Sequence, residues 1–461
     1  MVSESRDLKK GIVTFWMLVF QSISFTAPAI AVGATMTGAA AFALGALPLT
    51  YLLALFAVLA AGFAVYVFSK KVASSGGYYR YIERGFGPRT GGFGGWVYML
   101  YTVIGGTPFI YFETSLVLVY GLQILGYNLP SWAWYPIGIV VAAIAFIFAY
   151  SGIKNSLIYS MYTGSIEMII LIVVAVFILL HTPHPVNLNV FTPKYSPTGW
   201  EGVALGLVFA FTSLSGWGSM AFLGTEAKSA HLNMRKGVIV VVLILTTLFL
   251  FMSYVMTVGW GVQNMGTYFT NFIPGMVLAL RDGGIILAVI FFIFMVNSGM
   301  VDTLAIINAG ARDMYTMAKD GLLIKKLSLT HPVHKSPHMA LILQTIVGLI
   351  IFTVTGWLFG PLNGFLVTGL WTGVGTLIDH ILLNTSLPLY FRKVKSLRWT
   401  YVVVPAIASA IYLFAIYGSF LSINIYIIIG TIVLVIWLLV GGIIYSFKKG
   451  IRIVLEEGEE I

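Results

Sequence analysis

Five ionisable side chains stand inside otherwise apolar stretches of this 461-residue chain: Glu113, Glu167, Asp302, Asp379 and His380. A charge at the centre of a bilayer costs about 2.5 to 3.5 kcal/mol on insertion scales, so each of these groups needs a partner, a cation or a proton. Glu167 ends a stripe of Ser156, Ser160 and Thr163. Those steps of three and four residues put all of them on one helical face, which is expected to look inward. Lys154 and Arg312 mark the polar ends of the two stretches that hold Glu167 and Asp302. At about 1.5 Å per residue, both acids come near mid-depth. A carboxylate there can bind and release a proton, and we expect Glu167 to do so with Asp302 coupled to it. The same oxygens, joined by Ser298 and Thr303, could instead hold sodium, because hard cations take carboxylate, hydroxyl and carbonyl ligands. A purely structural Glu167 is the plainer alternative. Asp379 continues another stripe, Thr368, Thr372 and Thr376, while His380 is turned about 100° from it and reads as hydrogen-bonded packing or as a proton relay. Glu113 follows Gly105-Gly106-Thr107-Pro108 and could offer negative charge to a cationic solute.

These groups need elements that reach membrane depth. The chain is 59% hydrophobic and 9% charged, with mean hydropathy +0.95, far from the composition of soluble proteins. Runs of about 18 or more apolar residues fall near 11–38, 44–68, 92–125, 133–151, 157–181, 201–227, 237–260, 284–311, 340–359, 362–390, 401–421 and 425–447. The expected fold is an all-α integral membrane protein of about twelve spans in a single domain over 1–461. All Lys and Arg except Lys194 and Arg281 fall on one set of alternate connections, including Arg6 near the start and Lys448, Lys449 and Arg452 near the end. Such an excess marks the cytoplasmic side, so both termini are expected there, and the charged start running directly into a long span reads as a retained segment. The net charge of +10 is thereby explained by topology, and no nucleic-acid partner is expected. His181–Glu201 and Arg312–Met339 read as connections.

Two spans are interrupted at matching places. In Ser24-Phe25-Thr26-Ala27-Pro28 through Val32-Gly33-Ala34 a proline and a glycine break the first span; in Phe211-Thr212-Ser213-Leu214-Ser215-Gly216-Trp217-Gly218 paired glycines break the sixth. Unsatisfied backbone groups in hydrocarbon cost several kcal/mol, so such breaks persist where something polar fills them. Paired broken spans are the pattern of a solute carrier with its site at the midplane; ordinary kinks in a bundle are the simpler reading. A half-helix starting near Val32 to Thr35 would offer amides to a carboxylate, and one ending near Phe211 to Ser213 would offer carbonyls to an ammonium. A free amino acid carries both groups. Ser24, Thr26, Ser213 and Ser215 are the nearest polar side chains, with Phe25 and Trp217 as walls; the same small polar residues also serve as packing glue between helices.

Four segments carry a family resemblance. Ser74-Ser75-Gly76-Gly77-Tyr78-Tyr79-Arg80-Tyr81 with Gly94-Gly95-Trp96, then Ser215-Gly216-Trp217-Gly218-Ser219 with Thr225-Glu226-Ala227-Lys228, and finally Ala311-Arg312-Asp313-Met314-Tyr315 through Lys319-Asp320-Gly321 follow one another in order. Together they resemble the amino acid permeases of the amino acid, polyamine and organocation transporter superfamily. The resemblance implies a LeuT-like core with inverted repeats over 11–181 and 200–390, discontinuous spans 1 and 6, and two accessory helices over 401–447. It implies a secondary active permease of the cell membrane with an amino acid as substrate, a coupling proton or sodium ion, and no cofactor. Gly218 departs from the glutamate of many relatives, and Ala27-Pro28 from their glycine-rich first break. Exchange of amino acids or polyamines is the alternative within the fold, and an amino-acid-sensing receptor the alternative outside it.

The chain has no cysteine, which excludes thiolate metal sites and iron-sulfur clusters,. No Walker motif is present, nor H-E-x-x-H or G-x-S-x-G, so neither ATP hydrolysis nor an intramembrane hydrolase is expected. His331, His334 and His338 lie beside Pro332 and Pro337 and read as a loop without a metal.

Overall fold

The computed structural model describes residues 7–420 and 424–455; Arg6 and the extreme chain ends lie outside the described residues. The helices are α1 Phe15–Thr26, α2 Pro28–Ile30, α3 Met36–Ala43, α4 Leu47–Phe68, α5 Gly77–Phe86, α6 Pro88–Met99, α7 Thr107–Ile124, α8 Trp134–Tyr150 and α9 Ile153–His181. They continue as α10 Trp200–Leu214, α11 Ala230–Trp260, α12 Met265–Tyr268, α13 Pro274–Lys319, α14 His338–Phe359, α15 Pro361–Lys393, α16 Thr400–Ser419 and α17 Ile425–Phe447. Wider π-turns occupy Ala31–Thr35 and Leu100–Gly106, and a tighter 3-10 helix runs over Ser219–Glu226. Among the described residues the sole β feature is an isolated bridge between Val13 and Ala227.

Among the described residues, ten helical runs are long and apolar enough to cross a membrane. Phe15–Phe68 is one such run of 54 residues, more than twice what a bilayer needs. It turns back at Leu44, whose φ of 46° ends α3. Trp134–Tyr150 is a shorter apolar helix, of 17 residues. Outward faces carry Ile436, Leu439 and Ile443, whereas inward faces are built from Ala and Gly, such as Ala54, Ala57, Ala61 and Gly62 on α4. That small-residue stripe lets α4 and α11 approach closely, as packing between membrane helices requires,. In the centre α1 packs against α9, α11 and α13, and α10 against α3, α15 and α16; α17 leans on α15 and α6.

Two expectations change. Arg312 to Lys319 is not a connection, because α13 continues through it to Lys319. Arg312 is buried and its guanidinium is forked onto both oxygens of Glu226, so the charge does not end the helix. The stretch between the expected spans 44–68 and 92–125 also holds a helix: Gly77 starts α5, which packs between α6 and α15. Gly77 has φ +47° with a phenyl edge of Phe222 where a Cβ would sit, which leaves room for glycine alone,.

Candidate functional site

The first break is tight. Ala27 adopts the left-handed conformation (φ 44°, ψ 66°) and closes α1 by donating its N–H to the carbonyls of Ile23 and Ser24. Pro28 then opens the next half-helix, where its missing N–H leaves no donor stranded,. The half-helix therefore starts at Pro28, ahead of the expected Val32 to Thr35, and those later residues sit inside a continuous π-turn. The amide that follows Pro28 is that of Ala29, and it donates to Glu167 Oε1 at 2.6 Å. Ser298 Oγ donates to the same oxygen at 2.7 Å. Glu167 thus ties α9 to the break and to α13, from the inward face expected of its stripe. Ser156 and Ser160 are buried on that face, while Thr163 lies at its edge and bonds back to Tyr159.

The second break holds Ser215 in an extended conformation and Gly216 at φ 93°. A Cβ on Gly216 would lie 2.6 Å from Phe25, so the two breaks touch here. They are also joined by hydrogen bonds: Met220 N donates to Ser22 Oγ at 3.1 Å and Ser219 Oγ to Gln21 O at 3.4 Å, while Gln21 Nε2 ties α1 to Ala305 O of α13 at 2.9 Å.

Between the breaks lies a narrow, constricted cleft. Phe25, Thr26, Ala27, Thr212, Ser213 and Ser215 line it, as the sequence leads one to expect, together with Glu113 and Asp302. Ile30, Phe109, Ile110 and Ile306 give it an apolar wall, and Thr35 donates to Glu113 Oε1 at its rim. Phe25 stacks on Tyr101 with ring centroids 5.5 Å apart, and Ser213 Oγ meets Tyr51 Oη at 2.6 Å. None of the described lining residues is Lys or Arg. Asp302 lies within electrostatic range of both Glu113 and Glu167.

Other expected residues lie elsewhere. Ser24, Val32 and Ala34 are buried off the cleft, and Gly33 packs against Met295. Phe211 meets Tyr412 edge-on, and Trp217 packs on His380. Thr303 Oγ1 turns back to Gly299 O at 2.8 Å, so it is not aimed at Glu167. Gly218 has Tyr78 Oη where a Cβ would stand, at 1.7 Å, so a side chain there would require Tyr78 to move. Asp379 and His380 sit under Tyr78, outside the cleft lining. Sequence reasoning missed the side chain of Thr35 and the apolar lining of Ile30, Ala31, Phe109, Ile110 and Ile306, which comes from the first break, α7 and α13.

Residues 4–446 match the profile described as Amino acid permease. The chain belongs to the amino acid permease family. The permease is 25% identical over 332 residues to the branched-chain amino acid permease BcaP of Bacillus subtilis, a match covering 69% of this chain and 63% of that protein. It is 26% identical over 312 residues to BcaP of Lactococcus lactis, covering 63% and 64%. It thus spans less than two thirds of the length of either relative. A methylthioribose transporter of Bacillus subtilis is 25% identical over 430 residues, with 87% of each chain covered.

Proposed function

We propose that this permease is a secondary active transporter of neutral amino acids with branched apolar side chains, driven by protons through alternating access. Glu167 carries the reading: a carboxylate joins the opened backbone of one broken helix to α13, beside a cleft that lies between both breaks. In this account the substrate carboxylate meets the amide end of the half-helix that starts at Pro28, the ammonium meets carbonyls at the ends of α1 and α10, and Ile30, Phe109, Ile110 and Ile306 hold the side chain. Binding and release of a proton at Glu167 changes its grip on Ala29, which links the proton to movement of the broken helix. Asp302 completes the relay. Against sodium stands the hydroxyl of Ser298, which already donates to Glu167, and Thr303, which faces its own helix. The fold goes with this reading as twelve crossings in the cell membrane with cytoplasmic ends, repeats over 11–181 and 200–390, and accessory helices over 401–447.

A second reading, a cationic amino acid or polyamine exchanged for another solute, draws on Glu113 and Asp302 in the cleft lining. The absence of cysteine from the chain allows a clean test. In a Thr212→Cys variant the thiol faces the cleft, and its alkylation rate is measured with leucine, arginine, putrescine or methylthioribose present. Protection by leucine alone is expected. Protection by arginine or putrescine alone supports the second reading, and protection by none of the four removes the cleft as the substrate site.

A further inference from the structure

The accessory helix α17 meets α6 along a seam of glycines. A Cβ on Gly441 would lie 2.2 Å from the indole of Trp96, and one on Gly92 would lie 2.7 Å from the ring of Tyr445. Trp96 and Trp437 stack with ring centroids 4.1 Å apart, and each indole N–H donates to the other's carbonyl, at 3.0 and 3.1 Å. Beside this pinned seam runs an open groove of about 460 Å³, lined by Arg89, Thr90 and Phe93 of α6 and by Gly442, Tyr445 and Ser446 of α17. A Cβ on Gly442 would meet nothing within 4 Å, so the groove is empty of side chains at that point.

Arg89 also lines a second hollow, of about 530 Å³, with Gly87 and Pro88 at the turn into α6 and with Lys448, Lys449 and Ile451 just beyond α17. The two hollows therefore adjoin at Arg89. The stretch that follows Ile451 is fixed, because Asp320 accepts the N–H of Arg452 on its carbonyl at 3.0 Å and that of Val454 on its carboxylate at 2.8 Å. Among the described residues, the side chains of Arg89, Lys448 and Lys449 have no ion pair or hydrogen bond. No Asp or Glu is found among the described residues that line either hollow. Around them Phe86, Ile443, Ile444 and Phe447 are exposed apolar side chains, as lipid-facing surface requires. The rings of Trp96 and Tyr445 are of the kind that settles at a membrane–water boundary. Three unpaired cations thus stand at the polar end of an apolar slot, and Phe93 lies one turn, about 6 Å, further in than Arg89.

We propose that these adjoining hollows bind one anionic phospholipid, with Arg89, Lys448 and Lys449 on its headgroup phosphate and an acyl chain in the groove over Phe93, Gly442 and Tyr445. Charge complementarity chooses the occupant. A guanidinium and two ammoniums match a phosphate that carries net negative charge, and basic pockets between membrane helices recognise such headgroups. The ammonium of a zwitterionic lipid would find no carboxylate in the described lining. A free phosphate would use the cations and leave the groove without a role. The bound lipid bridges α17 to the turn between α5 and α6, and so clamps an accessory helix onto the core. The site shares no residue with the cleft or with the Glu167 junction, so it does not rest on the transport reading.

Native mass spectrometry of the full chain in detergent micelles, titrated with phosphatidylglycerol or phosphatidylcholine and with glycerol phosphate as competitor, tests this. Phosphatidylglycerol should bind at one site at least about tenfold more tightly than phosphatidylcholine, and glycerol phosphate at equal concentration should not displace it. Arg89→Gln, Lys448→Gln and Lys449→Gln combined should remove the preference. Gly442→Phe, which fills the groove and keeps the three charges, should weaken phosphatidylglycerol several-fold. Equal binding of the two lipids, a preference unchanged in the triple variant, or an affinity unchanged in Gly442→Phe would each overturn the proposal. Displacement by glycerol phosphate would assign the cations to a free phosphate and overturn it as well. Glu456, Glu457, Glu459 and Glu460 lie outside the described residues. Binding that appears only when the chain is cut after Leu455 would make that acidic stretch the occupant, again against the proposal. Proton-driven uptake is a separate readout, so failure here and failure of the transport reading are distinguishable.

Discussion

Replacing Glu167 separates coupling from scaffolding. Its Oε1 accepts from Ala29 N at 2.6 Å and from Ser298 Oγ at 2.7 Å. Bonds to a charged acceptor contribute about 1.5–3 kcal/mol each and neutral ones about 0.5–1.5, so Glu167→Gln, which keeps an acceptor oxygen, loosens the junction by about 2–3 kcal/mol at most. Glu167→Ala strands both donors, at about 1–3 kcal/mol apiece, or about 2–6 kcal/mol together. The alanine variant should therefore unfold at clearly lower temperature than the glutamine variant. Transport divides them differently. With one proton per substrate, a gradient of one pH unit supplies about 1.4 kcal/mol and sustains about tenfold accumulation. In proteoliposomes Glu167→Gln should bring that ratio to about one while exchange of labelled for unlabelled substrate continues, since the hydrogen-bonded junction survives. Accumulation near the native ratio in Glu167→Gln would refute the coupling role, and equal loss of exchange in both variants would reduce Glu167 to a structural brace.

Three further outcomes follow from packing and pairing. Gly218→Ala sets a Cβ 1.7 Å from Tyr78 Oη, an overpacking of about 1–3 kcal/mol; its melting temperature should fall and recover in part when Tyr78→Phe is added, and an unchanged single variant would contradict the geometry. Arg312→Met leaves Glu226 buried without its partner, at about 3–5 kcal/mol, whereas Arg312→Met with Glu226→Leu should melt higher than the single variant; the reverse order would show that the pair is not closed. Asp320 accepts the N–H of Val454 at 2.8 Å, and its carbonyl accepts that of Arg452. Asp320→Asn weakens the first of these bonds, so the Val454 amide should exchange hydrogen at least several-fold faster, and unchanged protection would show that this stretch is held by other contacts.

Pro28 and Gly216 made both breaks legible, because each removes or forbids something a continuous helix needs. The starting point of the second half-helix was not legible. Ala27 takes a left-handed conformation that alanine does not choose locally, so tertiary packing imposes it. Glu167 was read inward from its stripe of serines, but its partner Ala29 belongs to another span and carries no side-chain signal. Arg312 looked like the end of a span because a charge usually marks water; Glu226, distant in sequence, neutralises it. Gly218 stands where many relatives have a glutamate, and only the packed structure shows what occupies that space, the hydroxyl of Tyr78. The cleft walls at Thr35, Gly106 and Ile306 depend on how α7, α13 and the first break meet, which no single window of sequence contains.

The most direct test of proton-driven amino acid transport is uptake of labelled leucine by the native chain in proteoliposomes, with an inward proton gradient, no sodium and no internal substrate. Accumulation above equilibrium that collapses on adding an uncoupler is the predicted result. Uptake that requires sodium, or that appears only after preloading with amino acid, would contradict it.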